Sequence, residues 1–146
     1  MIKIQSIARQ FTADPVMEEL FAADISARTG MEGDMHPLSA AGEISVLSKE
    51  SWVKSCHETE VELPWLASGS HLFIRGFEFL PTDIGRSLRI AEMVLEILRE
   101  NLPAPALASQ APVLRESLCL GWRGGVVCNI LRSGSIQTGD TVHIIG

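Results

Sequence analysis

Alternation of apolar and polar residues dominates the chain, and sustained helical spacing is scarce. The clearest stretch runs from Gly121 to Ile145, where β-rich runs alternate with Gly-Ser and Gly-Asp punctuation. That pattern predicts strands closing a barrel or sandwich. Ile2 to Ala8 alternates as a first strand, and Glu43 to Leu47 is a short second one. His71 to Arg75 reads as a strand that stops at Gly76, and Ser87 to Ile90 as another. Ala91 to Glu100 fits two templates. Ile90, Val94, Ile97 and Leu98 have helical spacing, and Glu92, Met93, Leu95 and Glu96 are sound helix formers.

Helix signals are short and local. Ser48 is a good N-cap, Glu50 favours the positive helix end, and Leu47 with Trp52 has staple spacing, so a helix should run from there to Glu58 or Thr59. Asp14-Pro15 predicts a short helix through Leu20 and Phe21, with Met17, Leu20, Phe21 and Ile25 near one face. Ala23 to Ala27 reads equally well as a strand. Thr29 to Pro37 is turn-rich and predicts a loop, as does Leu63-Pro64-Trp65. Phe77 to Leu80 leads to a turn at Pro81-Thr82-Asp83. Leu102 to Ala108, with Pro103 and Pro105, reads as extended loop. Pro112 opens a short helix through Leu118, with Arg115 and Glu116 facing solvent.

Composition narrows the function classes. The chain's 146 residues suit a single domain, 1–146, with a core that needs no metal or disulfide. A net charge of -6 without a basic run argues against nucleic acid. No apolar stretch approaches the ~18 residues of a membrane span. The N-terminus alternates as a strand and does not resemble a signal peptide. Cys56, Cys119 and Cys128 form no CxxC pair. Reduced thiols in the cytoplasm are the expectation.

Several motifs, in order, resemble the MOSC domain, the fold of the molybdenum cofactor sulfurase C-terminus. They are Gly30-Met31-Glu32-Gly33-Asp34, Ile44 to Trp52, and Glu62-Leu63-Pro64-Trp65 followed by His71 to Gly76. Gly85-Arg86-Ser87-Leu88-Arg89-Ile90 and Trp122-Arg123-Gly124-Gly125-Val126 complete the series. The resemblance covers Met17 to Ile145. It implies a mainly β fold with short helices, a MOSC-like twisted β-barrel, and it favours the strand reading of Val94 to Leu98. It also implies a pocket for a molybdenum cofactor or a related anionic, sulfur-bearing ligand. In that family a cysteine thiolate, a soft ligand and strong nucleophile, carries sulfur or holds molybdenum.

The segment where that cysteine is expected, Asn101-Leu102-Pro103-Ala104-Pro105-Ala106, contains none. Gly42-Glu43 and Gly69-Ser70-His71 also stand where the family often carries arginine, which is suited to bidentate anion binding. Cys119, just before the Trp-Arg-Gly-Gly turn, is the one thiol that could substitute, although a buried cysteine of no chemical role is the plainer reading. Arg123, Gly124 and Gly125 form the best anion cradle in the sequence, since paired glycines expose backbone N–H groups beside a cation. The same glycines could merely satisfy a tight turn. His71, Arg75 and Asp34 are expected to line or brace the site. Asp34 with His36 is too small a set for a metal, so no metal site is expected.

The resemblance thus implies molybdenum-cofactor or sulfur handling, with molybdopterin as the candidate cofactor. The alternative is a non-catalytic module of the same fold that binds a small anion or a partner, such as an enzyme of molybdenum metabolism. Strand pairing across an edge would permit a homo-oligomer.

Overall fold

A computed structural model describes residues 1–10, 17–35 and 42–146. The protein is mainly β. Eleven strands are present among the described residues: β1 (Lys3–Gln10), β2 (Met17–Leu20), β3 (Ala22–Ser26), β4 (Gly30–Met31), β5 (Glu43–Ser48) and β6 (Leu72–Arg75). They continue as β7 (Ser87–Ile90), β8 (Met93–Glu100), β9 (Val126–Arg132), β10 (Gly134–Gln137) and β11 (Val142–Ile145). Three helices accompany them, α1 (Lys49–Thr59), α2 (Pro105–Gln110) and α3 (Pro112–Leu118).

Eight strands form one sheet in the order β11-β7-β8-β9-β5-β6-β1-β2, and β10-β3-β4 form a second. The large sheet curls, but its ladder does not close into the expected barrel. Its two ends meet through one bridge, Lys3 with Thr141, and through backbone bonds from Val142 N–H to Ile2 and from Ile4 N–H to Asp140. All neighbours in the large sheet are antiparallel except β5 and β6, which run parallel with α1 as the crossover.

The period of two in the sequence separates two apolar layers. Ile44 and Val46 of β5, Leu72 and Ile74 of β6, Met93, Leu95 and Ile97 of β8, and Val126, Cys128 and Ile130 of β9 share the concave core. Leu47 and Phe73 point the other way and pack with Trp52, Trp65, Leu107, Leu114 and Leu118 beneath the helices. Trp65 stacks on Phe73 with ring centroids 4.9 Å apart.

Local expectations fared unevenly. The helix after Ser48 forms, with the Ser48 hydroxyl accepting the Ser51 N–H. Residues 91–100 hold the strand, reached through a turn in which Ala91 adopts φ 52. No glycine is present there, so the tight turn is made by a residue with a Cβ, and the hairpin holds it in place through the Ile90–Met93 pair. The helix expected through Leu20 and Phe21 is overturned. Met17–Leu20 pairs antiparallel with β1, and Phe21 is exposed, so a long-range ladder overrides the local spacing. The proposed start of that helix, Asp14-Pro15, lies outside the described residues, as do His36 and Pro37. Thr29 to Asp34 is not wholly loop, because Gly30–Met31 pairs with β3. The extended reading of 102–108 gives way to α2, where Pro105 sits in the first turn and Leu107 is buried under the helices.

Candidate functional site

The structure brings two of the sequence candidates into direct contact. His71 immediately precedes β6, on the helix-side face of the sheet beside Ser45 of the parallel strand β5. Its side chain is fully buried. The Ser45 N–H donates to His71 Nδ1 at 3.0 Å, and His71 Nε2 lies 2.7 Å from Asp34 Oδ2. A backbone N–H can only donate, so Nδ1 is the accepting nitrogen and Nε2 carries the proton given to Asp34. The Ser45 hydroxyl accepts the His71 N–H at 3.1 Å. Asp34 Oδ1 accepts the Gln10 N–H at 2.9 Å. One carboxylate and one imidazole therefore tie the loop after β4 to β1, β5 and β6. Both ring nitrogens are engaged inside this network, which suits orienting Asp34 rather than taking protons from a substrate.

Ser45, Gln10 and Ser70 were not singled out by sequence reasoning. Their signal was a polar residue at a buried position of an alternating strand, which the pattern alone does not distinguish from an exposed one. Ser70 is buried and its hydroxyl has no hydrogen-bond partner among the described residues. Asp34 also borders a cleft of about 770 Å³ between the small sheet and the loop after β4. Asp24, Glu32, Asp34, Ser26, Ser133 and Ser135 are among the residues lining it, with the Ser135 hydroxyl donating to the Asp24 carboxylate.

The Arg123-Gly124-Gly125 turn lies elsewhere. Arg123 reaches back to α1, with Nη1 2.6 Å from Glu58 Oε2 and 3.1 Å from the Ser117 hydroxyl. The hydrogen bond from Arg123 holds the Glu58 carboxyl below its usual range. Gly125 has φ +86, and a Cβ there would stand 2.1 Å from the Val46 carbonyl oxygen. A Cβ at Gly124 would lie 2.5 Å from the Asn101 carbonyl oxygen. Each glycine thus permits a close backbone approach, and the turn is pinned to β5 and to the segment that follows β8. Asn101 N–H also donates to the Gly125 carbonyl.

Arg75 stands at the far end of β6 and donates to Gln5 Oε1 at 3.2 Å, away from His71. Cys119 follows α3 and is exposed, contrary to the plainer reading of that residue as buried. Cys128 is buried in the concave core, and burial pushes its thiol up. Burial also raises Cys56, against a smaller opposing effect of the Leu63 backbone. No group of three or more possible metal ligands occurs among the described residues. No helix among them is long and apolar enough to cross a membrane.

These features define a class, a curled mainly β sheet with a helical layer on one face and short loops around a buried carboxylate–imidazole pair. No protein-family profile matches the chain, and no curated protein does. Solved structures do. The YuaD protein of Bacillus subtilis superimposes with a TM-score of 0.80 at 21% identity, over 99% of this chain and 96% of that one. YiiM of Geobacillus stearothermophilus gives 0.75 at 16% identity, over 100% of this chain and 76% of that one. YiiM of Escherichia coli gives 0.68 at 10% identity, over 99% and 70%. These are MOSC-family structures, and the likeness supports a MOSC-like fold.

Proposed function

We propose that the chain is a MOSC-like binding module that works without thiolate chemistry, its ligand seated in the cleft beside Gly33 and Asp34. The observation that carries this reading is the engagement of the residues that would otherwise bind an anion. Arg123 is spent on Glu58 and Ser117, and the segment Asn101 to Ala106 offers no sulfur. A sulfur-held molybdenum cofactor requires a thiolate, and neither Cys128, enclosed in the core, nor Cys56, raised by burial, is suited to supply one, while exposed Cys119 is not among the residues lining the cleft. The residues present do not fit that cofactor.

The cleft itself favours a different ligand from the small anion that the resemblance implies. Asp24, Glu32 and Asp34 outnumber the guanidinium beside Gly33, that of Arg9, which donates to the Glu32 carbonyl, and this balance favours a small molecule that donates, through hydroxyls or an amine. Asp34 is the acceptor at its edge, held in orientation by His71 and Gln10. Elemental analysis of the purified protein is expected to find no stoichiometric molybdenum, and one molybdenum per chain overturns the reading. A thermal-shift series with polyols and primary amines is expected to find a stabilising ligand. Asp34→Asn should abolish that shift, and a shift that survives the substitution places the ligand elsewhere.

A second reading, sulfur handling, is favoured by the exposure of Cys119 one turn before Arg123. It requires transfer of sulfane sulfur from a low-molecular-weight persulfide to the Cys119 thiolate, the donor leaving as its thiol, and the resulting Cys119 persulfide must be absent from Cys119→Ser.

A further inference from the structure

The convex face of the sheet carries a row of side chains that the fold builds from four strands. His143 of β11 stands opposite Arg89 of β7, Arg89 opposite Val94 of β8, and Val94 opposite Arg132 of β9. Directly opposed residues point to the same side of a sheet, so His143, Arg89 and Val94 face outward, away from Leu88, Ile90, Leu95 and Val142 in the core. The β8–β9 ladder shifts register between Val94 and Leu95, and this irregularity lets Arg132, two residues from buried Ile130, reach the outer face as well. Neighbouring strands lie about 4.8 Å apart, so Arg89 and His143 are adjacent and Arg132 is about 10 Å from Arg89 across Val94.

A cleft of about 550 Å³ is lined by Arg89, Arg132 and His143 of this row and by Ala91, Glu92, Asp140 and Thr141. Its charges are unevenly used. Glu92 pairs with Arg132 at 3.1 Å, both side chains largely exposed. The Asp140 carboxylate is turned into its own loop, where it accepts the Gln137 N–H at 2.9 Å. The side chains of Arg89 and His143 make no hydrogen bond or ion pair with any described residue. Two cationic or potentially cationic groups directly opposite each other on a ladder are unfavourable without a compensating anion. This arrangement occurs in a chain of net charge -6, where a cationic strip is not a consequence of general basicity.

We propose that this cleft binds a small phosphomonoester. Its phosphate sits between the Arg89 guanidinium and the His143 ring, and its apolar body lies against Ala91. A guanidinium matches phosphate oxygens in a planar, bidentate fashion, and the imidazole adds a further donor. Ala91, exposed in the turn between β7 and β8, gives the cleft an apolar surface that inorganic phosphate leaves unused. The cleft lies at the opposite end of β8 from Asn101 and does not involve Asp34 or His71, so its fate is independent of the function proposed above.

The test is an amide-resolved NMR titration of the full chain with phenyl phosphate, beside inorganic phosphate, phenol, and sodium chloride at matched ionic strength. Saturable shifts confined to Arg89, Ala91, Arg132 and His143 are expected, with phenyl phosphate binding more tightly than inorganic phosphate. Arg89→Met, an exposed substitution outside the core, should weaken binding about tenfold or more. His143→Gln should weaken it less. Shifts reproduced by sodium chloride, or binding unchanged in Arg89→Met, overturn the proposal. Equal affinity for phenol and phenyl phosphate overturns it as well, since the cleft would then be apolar and not anionic.

Discussion

The Arg123-Gly124-Gly125 turn and the Asp34–His71 pair were both marked by sequence as parts of one site, yet they serve different ends. The turn consists of adjacent residues whose composition suits an anion. In the fold, its cation is bound by Glu58 and its glycines make room for the backbone of β5 and Asn101. Asp34 and His71 are far apart in sequence, and nothing local links them. The fold places their polar atoms 2.7 Å apart behind the wall of a cleft. Adjacency in sequence conferred no shared chemistry, whereas distance in sequence did not prevent it.

Three substitutions can break or sharpen that contrast. Gly125→Ala should have the largest effect. The new Cβ would meet backbone, not a flexible side-chain tip, at a φ that alanine disfavours. A loss of about 4 kcal/mol or more, or failure to fold, is expected in chemical denaturation. If Gly125→Ala is tolerated, the turn is free of β5 and its glycines are available for a ligand after all.

His71→Phe comes next. It leaves the Ser45 N–H and the Asp34 carboxylate without their buried partner, at a cost of about 2–4 kcal/mol. Hydrogen exchange should show the added loosening in the loop after β4, because that loop is held by Asp34. Exchange that is unchanged there would mean that the loop's other bonds, to Gln10, Asp24 and Arg9, suffice to fix it.

The smallest effect is expected from the surface pair, and it carries a sign. Because Arg123 depresses the Glu58 carboxyl in the folded protein, the pair contributes stability above the ordinary glutamate value of about 4.3 and loses it as pH falls through the folded value. Wild type should therefore lose more Tm than Glu58→Gln between pH 6 and pH 3. Parallel curves would mean that the ion pair is screened to insignificance.

Much of the fold was legible residue by residue. Ser48 announced α1, Pro112 announced α3, and the alternation through Val126 to Ile145 announced the last strands. The failures share a cause. Met17 to Leu20 had helical spacing but lies beside β1, and Pro105 began a helix in a segment that its prolines made look extended. In both places a partner distant in sequence supplied the energy that local preference lacked. The candidate site was legible only as a set of residue types. That Asp34 would meet His71, and that Arg75 would not, depended on which ends of β4 and β6 adjoin.

By itself the sequence determined the mainly β character, the period that sends Leu72 and Ile74 to one layer and Phe73 to the other, and the absence of cysteine from Asn101 to Ala106. These follow from local geometry and residue identity. Only the tertiary structure decided that the ladder stops short of a barrel, that Arg123 is engaged, and that His143, Arg89, Val94 and Arg132 form a row. Register between strands is fixed by packing over the whole sheet, and a one-residue slip would turn each of those side chains to the opposite face.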